Sequence, residues 1–266
     1  MTDDSRFSVA NRTALVTGST RGIGLAIALA LRDAGADVTI HGTREQNTRE
    51  LARKYGFKAV CANLKNEAER RAMAQSLCQS LPKLDILFNN AGFETYLRID
   101  QADEAYLDDI YNVNARSPYL LVRDLLEPLR RSGDASIVNV TSIHQDIAIS
   151  GNSSYCMAKA SLAMFTKVAS LELAKWNIRV NNLVPGAIET DMNRETTHSM
   201  PFSRWIPLGR TGKVEDVAGP ALFLASPASR YMTGASLVVD GGYSQNLPRY
   251  AIGEGGQCLI EAVNAE

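Results

Sequence analysis

Seven short apolar runs recur along the chain, each separated from the next by a stretch of helical pattern, and this alternation constrains the fold more than any other feature. A strand buried on both faces reads as a nearly continuous apolar run, while a crossover helix reads with the helical period. The runs lie near Thr13–Thr17, Asp37–His41, Lys58–Cys61, Asp85–Asn89, Ala135–Val140, Ile178–Val184 and Ser236–Val239. The expectation is an α/β chain of doubly wound topology, with a seven-stranded parallel sheet flanked by helices. Right-handed crossovers put the functional residues at the carboxyl ends of the strands, where the strand order reverses. With no repeat, low-complexity tract or linker, residues 1–266 read as one domain. Two stretches break the alternation. The polar segment Asp191–Gly212, with Pro201 and Pro207, reads as a substrate lid, and residues 243–266 read as a C-terminal tail.

Charge and cysteine usage narrow the function classes. The chain has 28 Lys+Arg against 29 Asp+Glu, a formal net charge of -1, and no basic run, so nucleic acid and anionic membranes are poor partners. Cys61, Cys78, Cys156 and Cys258 form no CxxC pair, and His41, His144 and His198 lack ligand spacing, so reduced thiols and no metal are expected. The opening MTDDSRFSVANR is acidic and lacks an apolar stretch, which points to a cytoplasmic protein without a signal or membrane span.

The first strand runs into Gly18-Ser-Thr20-Arg21-Gly22-Ile23-Gly24 and then a helical pattern from Leu25 to about Ala34. Glycines let the backbone turn sharply and approach a ligand, and a helix start offers free N–H groups and the positive dipole end to a pyrophosphate. Further on, Tyr155 and Lys159 stand four apart in a helical pattern from Ser153 to about Lys175, which places them on one face. A cation beside a tyrosine stabilises its phenolate, so Lys159 is expected to lower the Tyr155 pKa toward neutrality. Ser142 ends a strand at the ligand-binding edge; Thr141 also carries a hydroxyl, and strand alternation turns the two to opposite sides. Cys156, about 100° round the helix from Tyr155, reads as packing.

Together, Thr17-Gly18-x3-Gly22-Ile23-Gly24, Asn89-Asn90-Ala91-Gly92, Tyr155-x3-Lys159 and Pro185-Gly186 resemble, in order and over nearly the whole chain, the motifs of the short-chain dehydrogenase/reductase family. The resemblance implies a Rossmann-type fold and transfer of a hydride between a nicotinamide cofactor and an alcohol or ketone carbon. It implies catalytic roles for Tyr155 as acid/base, Lys159 as its cation and ribose donor, Ser142 as oxyanion-type donor, and Asn114 as a helix-kinking holder of a water. It places Gly18, Thr20, Arg21, Gly22, Ile23 and Gly24 around the phosphates and ribose. Asn63 and Leu64 then flank the adenine, Asn90, Ala91 and Gly92 the adenosine ribose, and Pro185, Gly186, Ile188 and Thr190 the nicotinamide side. Where the family usually has Asp, this chain has Asn63.

No carboxylate follows the second strand in Thr39-Ile-His-Gly-Thr-Arg44, so the ribose-binding acid of NAD-specific proteins is missing. Arg21 and Arg44 suit a 2′-phosphate, which favours NADP(H), with NAD(H) the alternative. The segments around Ser142 and Pro185 resemble the bacterial glucose 1-dehydrogenase branch. Ser142, His144, Gln145, Glu189 and Asn193 offer polar groups for a sugar or polyol, a 3-oxoacyl-thioester being the alternative substrate. A catalytically silent cofactor-binding regulator is the reading from another class, and the intact Ser142, Tyr155 and Lys159 speak against it. The final strand and the apolar helix Val214–Ala225 suggest a homotetramer, through faces that one subunit leaves uncovered.

Overall fold

The structure, a computed structural model, describes residues 4–190, 193 and 202–245. Seven strands, β1 (Thr13–Val16), β2 (Asp37–Gly42), β3 (Lys58–Cys61), β4 (Ile86–Asn89), β5 (Ser136–Val140), β6 (Arg179–Pro185) and β7 (Ser236–Val239), form one parallel sheet. Their order is β3-β2-β1-β4-β5-β6-β7, so the chain winds outward in both directions from β1 and β4 and leaves a crevice between their carboxyl ends. Each strand lies within two residues of the apolar run that marks it in the sequence.

The helices that matter to the site are α1 (Gly22–Asp33), α2 (Glu45–Tyr55), α3 (Glu67–Ser80), α4 (Glu104–Tyr111), α5 (Ser117–Asp124), α6 (Leu126–Ser132), α7 (Ser153–Leu173), the short α8 (Phe202–Trp205) and α9 (Val214–Ala225). Alternation along the strands feeds two cores. Ala14, Val16, Ile86 and Phe88 pack with α1 and α9 on one face. Leu15, Leu87 and Ile137 pack with α3, α5, α6 and α7 on the other. Residues 191, 192 and 194–201 of the expected lid and 246–266 of the expected tail lie outside the described residues.

Apolar runs do not exhaust the sheet. Asn89, Asn139 and Asn182 are register partners across β4, β5 and β6, and Asn182 in turn pairs with Ser236 on β7. All three asparagines are almost wholly buried. Their side chains form a line: Asn89 Nδ2 donates to Asn139 Oδ1 (2.8 Å), and Asn139 Nδ2 to Thr166 Oγ1 (2.7 Å). The Thr166 hydroxyl donates to Asn182 Oδ1 (2.6 Å), and Asn182 Nδ2 to Ser236 Oγ (3.1 Å). Thr166 belongs to α7, the helix that carries Tyr155 and Lys159, so the row fixes that helix to three strands at one height.

Thr166→Val keeps the shape but removes both the acceptor for Asn139 and the donor for Asn182, leaving two buried amide atoms unpaired. Chemical denaturation should show a loss of about 2–4 kcal/mol; a change within experimental error would show that the row does not hold the helix.

Candidate active site and cofactor groove

The crevice begins where β1 runs out. Gly18 has a left-handed φ of 61°, and a Cβ there would stand 2.7 Å from Ala91 Cα. At Gly24 a Cβ would meet Asn90 Nδ2 at 2.4 Å and the Gly18 carbonyl at 2.5 Å, so the turn closes only with glycine. The Thr17 hydroxyl accepts from the backbone N–H groups of Asn90 (2.9 Å) and Ala91 (3.0 Å), and Asn90 Nδ2 donates to the carbonyls of Thr17 (2.9 Å) and Gly18 (3.0 Å). The ends of β1 and β4 are thereby tied into one surface. Helix α1 then starts at Gly22 with no side chain capping its first N–H groups, which leaves them to a ligand.

A continuous groove follows from this surface. Its catalytic half is lined by Gly18, Arg21, Gly22, Ile23, Gly24, Asn90, Gly92, Pro185 and Thr190 together with Asn114, Ser142, Tyr155 and Lys159. The other half adds Thr20, Asn63, Leu64 and Ala91, with His41, Gly42, Thr43 and Lys65 at the end of β2 and the start of the segment after β3. No carboxylate lines that second half among the described residues, whereas Arg21 and Lys65 do. Arg44 is exposed and stands outside the lining. Gly186 packs beneath the groove, where a Cβ would stand 2.5 Å from Asp240 Cβ. Ile188 is buried in the core, its backbone bridged to Gly212. Of the nicotinamide-side set, Pro185 and Thr190 reach the cleft surface.

The remaining residues form the reaction centre. Ser142 caps a short 3-10 turn, its hydroxyl accepting from the His144 N–H (3.2 Å), and it lines the cleft together with Tyr155. Thr141 also lines the cleft, but its hydroxyl points to the Leu183 carbonyl (3.4 Å), which leaves Ser142 as the available donor. Lys159, almost fully buried, donates to the Val140 carbonyl (2.9 Å) and stands 5.4 Å above the Tyr155 ring. Asn114 occupies a π-helical turn, Asn112–Arg116, between α4 and α5. Its Nδ2 donates to the carbonyls of Phe93 and Ile110, each at 3.0 Å, while its buried Oδ1 has no partner and faces the space beside Gly92 and Lys159.

Electrostatics correct the expected tyrosine shift. Burial, reinforced by the nearby Glu94 carboxylate, pushes the Tyr155 phenol above its ordinary value, against the opposing hydrogen bond from Ser142. Burial also pushes Lys159 down to about 8, with Glu94 acting the other way. The Lys159 ammonium is itself buried and engaged with a backbone carbonyl, so burial rather than its charge sets the direction of the phenol's shift.

A family model described as enoyl-(acyl carrier protein) reductase matches residues 18–244. The chain belongs to the short-chain dehydrogenase/reductase family. It is 36% identical over 245 residues to a 3-oxoacyl-[acyl-carrier-protein] reductase of Chlamydia pneumoniae, covering 88% of this chain and 98% of that protein. It is 32% identical over 247 residues to a cyclopentanol dehydrogenase of Comamonas testosteroni, covering 90% and 99%. A gluconate 5-dehydrogenase from Burkholderia cenocepacia, solved with NADP and tartrate, superposes with a TM-score of 0.86 at 32% identity, covering 92% of this chain and 99% of that one. This member of the family is an oxidoreductase acting on a CH–OH or carbonyl centre.

The residues read as substrate contacts fare unequally in this family member. The Asn193 amide is engaged within its own loop, accepting from Thr190 N (2.7 Å) and Thr190 Oγ1 (3.0 Å) and donating one N–H to the Ile188 carbonyl (2.9 Å). His144 holds the Ile147 carbonyl through Nδ1 (3.1 Å) and meets the Tyr155 ring edge-on at 6.4 Å. Gln145 donates to Asp146, and neither it nor His144 lines the cleft. Two residues escaped the sequence reading. Glu94, directly after the Asn-Asn-Ala-Gly turn and Phe93, lines the cleft. His41, dismissed as a metal ligand, is the brace between strands: its Nδ1 accepts from the Gly18 N–H (3.0 Å), and its Nε2–H donates to the Ala62 carbonyl (3.0 Å). No local pattern announces either role; for His41 the one available signal was an imidazole at the end of a buried strand.

Both His41 bonds require the neutral ring, and burial lowers its pKa to about 4, against the Ala62 bond, which acts the other way. The unfolded chain therefore binds a proton between pH 6.5 and 4 that the folded chain refuses, so stability is full above 6.5 and is lost as pH falls through 4. Denaturation curves across that window should show His41 contributing about 3 kcal/mol of acid sensitivity, abolished in His41→Gln. An identical pH slope in the variant would remove His41 from this role.

Proposed function

We propose that this protein is a cytoplasmic, NADP(H)-dependent oxidoreductase interconverting an alcohol and a ketone on a sugar or polyol, working as a homotetramer from a single catalytic domain. The observation that carries the reading is the convergence of Ser142, Tyr155, Lys159 and Asn114 on the cleft floored by the glycine turn. The groove fits a dinucleotide: glycine at 18 and 24 lets the turn close tightly against Ala91 and Asn90, and the uncapped start of α1 presents its free N–H groups beside it. NADP(H) is favoured by the absence of a carboxylate and the presence of Arg21 and Lys65 in the described lining of the adenosine half. The likeness to a gluconate 5-dehydrogenase supports a polyhydroxylated substrate. The likeness to a 3-oxoacyl-[acyl-carrier-protein] reductase supports a second reading, a 3-oxoacyl-thioester substrate. Free thiols at Cys61, Cys78 and Cys156 suit a reducing compartment.

The bound cofactor supplies or accepts the hydride at the substrate carbon. In reduction, the Ser142 hydroxyl donates to the carbonyl oxygen, and Tyr155 transfers its phenolic proton to that oxygen as negative charge develops. A phenol whose pKa is raised stays protonated through neutral pH and is a ready donor. Lys159 then faces the phenolate with its ammonium, and the unpaired Asn114 Oδ1 offers an acceptor through which a water could connect Lys159 to solvent. Uncovered apolar groups support the assembly: Val238 on the edge strand β7, and Tyr119, Met164 and Leu171 on α5 and α7, whereas the apolar face of α9, expected to join it, turns Val217, Ala221 and Leu224 into the core. Two different isologous faces are what a tetramer of dihedral symmetry requires.

Sugar- and polyol-derived ketones should be reduced with NADPH in preference to NADH, by a species sedimenting as four chains. Tyr155→Phe should lower kcat about 10³-fold with the NADPH Kd nearly unchanged. The wild-type reduction rate should hold through neutrality and fall above about pH 8, where Lys159 loses its charge. Substantial activity in Tyr155→Phe would overturn the assignment of the proton donor.

A further inference from the structure

Among the described residues that line the catalytic half of the groove, Glu94 is the sole carboxylate, and the two cations there, Arg21 and Lys159, are placed for other work. Arg21 borders both halves of the groove, at the phosphate-binding turn. Lys159 is buried against the Val140 carbonyl. Glu94 is held in position by Asn152. This residue, wholly buried at the start of α7, donates through Nδ2 to Glu94 Oε1 and keeps an unpartnered Oδ1. Glu94 is itself exposed, so it is this bond from a buried amide that orients its carboxylate at the cleft. The negative charge is felt at the reacting groups, since Glu94 acts to raise both Tyr155 and Lys159.

We propose that Glu94 is a specificity-determining residue: its fixed carboxylate beside Ser142 and Tyr155 accepts a hydroxyl of a neutral polyol substrate and excludes substrates bearing a carboxylate near the reacting carbon. The inference rests on the oxidoreductase reading and deepens it by selecting uncharged sugars and polyols over sugar acids. An ionised carboxylate accepts hydrogen bonds and donates none, so a substrate hydroxyl satisfies it, while a second carboxylate sets like charge against it. At the separations available inside one cleft the repulsion is worth about tenfold in affinity.

The test uses a matched pair, an alditol and the aldonate of the same carbon number, titrated calorimetrically into the NADP⁺-loaded full-length protein, with turnover of each measured separately. The wild type should prefer the alditol by about tenfold, and the preference should shrink as salt is raised. Glu94→Gln should bring the two ligands to similar affinity, with the change carried by KM rather than kcat where turnover is measurable, and Glu94→Asp should retain much of the preference. Binding of both ligands with the same ratio in wild type and Glu94→Gln would overturn the role of Glu94 and leave the oxidoreductase reading standing. Binding of neither ligand would overturn the polyol class on which the inference rests, whatever the result of the Tyr155→Phe assay.

Discussion

A sheet covered on both faces excludes water from its strands, so any polar side chain placed there must find its partner among its neighbours. Three asparagines in one register row meet this demand by bonding to one another and to a threonine on the helix above. An apolar row would have packed as well and would have left the helix free to slide along the sheet, since burial is indifferent to small translations. Hydrogen bonds with lengths near 2.7 Å are not. The reacting tyrosine and lysine lie two to three turns up that helix from Thr166, so their height above the groove is set by the same bonds.

At the other side of the crevice the same logic works through backbone. Thr17, Asn90 and His41 use nearly all their hydrogen-bonding capacity to tie the ends of β1, β2 and β4, along with the residue just past β3, into a single rigid lip. The surface offered to a dinucleotide is therefore made of groups whose positions are over-determined from below. Burial that secures this geometry carries an electrostatic charge on the chemistry: Tyr155 and Lys159 are both driven toward their neutral forms, which suits proton donation to a forming alkoxide better than proton abstraction.

Much of this architecture is legible in the sequence. Strands buried on both faces leave an unambiguous apolar signature, and the glycine turn, the Asn-Asn-Ala-Gly turn and the Tyr–Lys spacing each report a local geometry that the chain cannot avoid. What is not legible depends on contacts between segments far apart in sequence. Asn139 and Asn182 look like interruptions of apolar strands until their partners are known. Asn193 resembles a free polar residue until its loop folds back on it. The phenol shift runs opposite to the expectation from Lys159 alone, because spacing along a helix reveals a neighbouring cation and says nothing about how deeply both groups are buried. Arg44, chosen for its charge, is exposed one residue past the groove lining, since the buried His41-Gly42 pair ends the strand and Thr43 takes the lining position.

Gly42 also bears on how cofactor choice could change over evolutionary time. It closes β2 where a carboxylate would grip the ribose hydroxyls of NAD, and a Cβ at that site would stand 2.4 Å from Thr48 Oγ1 and 2.6 Å from Thr20 Cγ2. Thr48 is wholly buried and bonded to the Arg44 carbonyl (2.8 Å), and Thr20 belongs to the phosphate turn itself. A single substitution at Gly42 therefore lands against two threonine side chains, which must give way before an acidic group can gain a ligand contact. For this chain, then, a change of cofactor preference at Gly42 depends on its neighbours as much as on the new side chain itself.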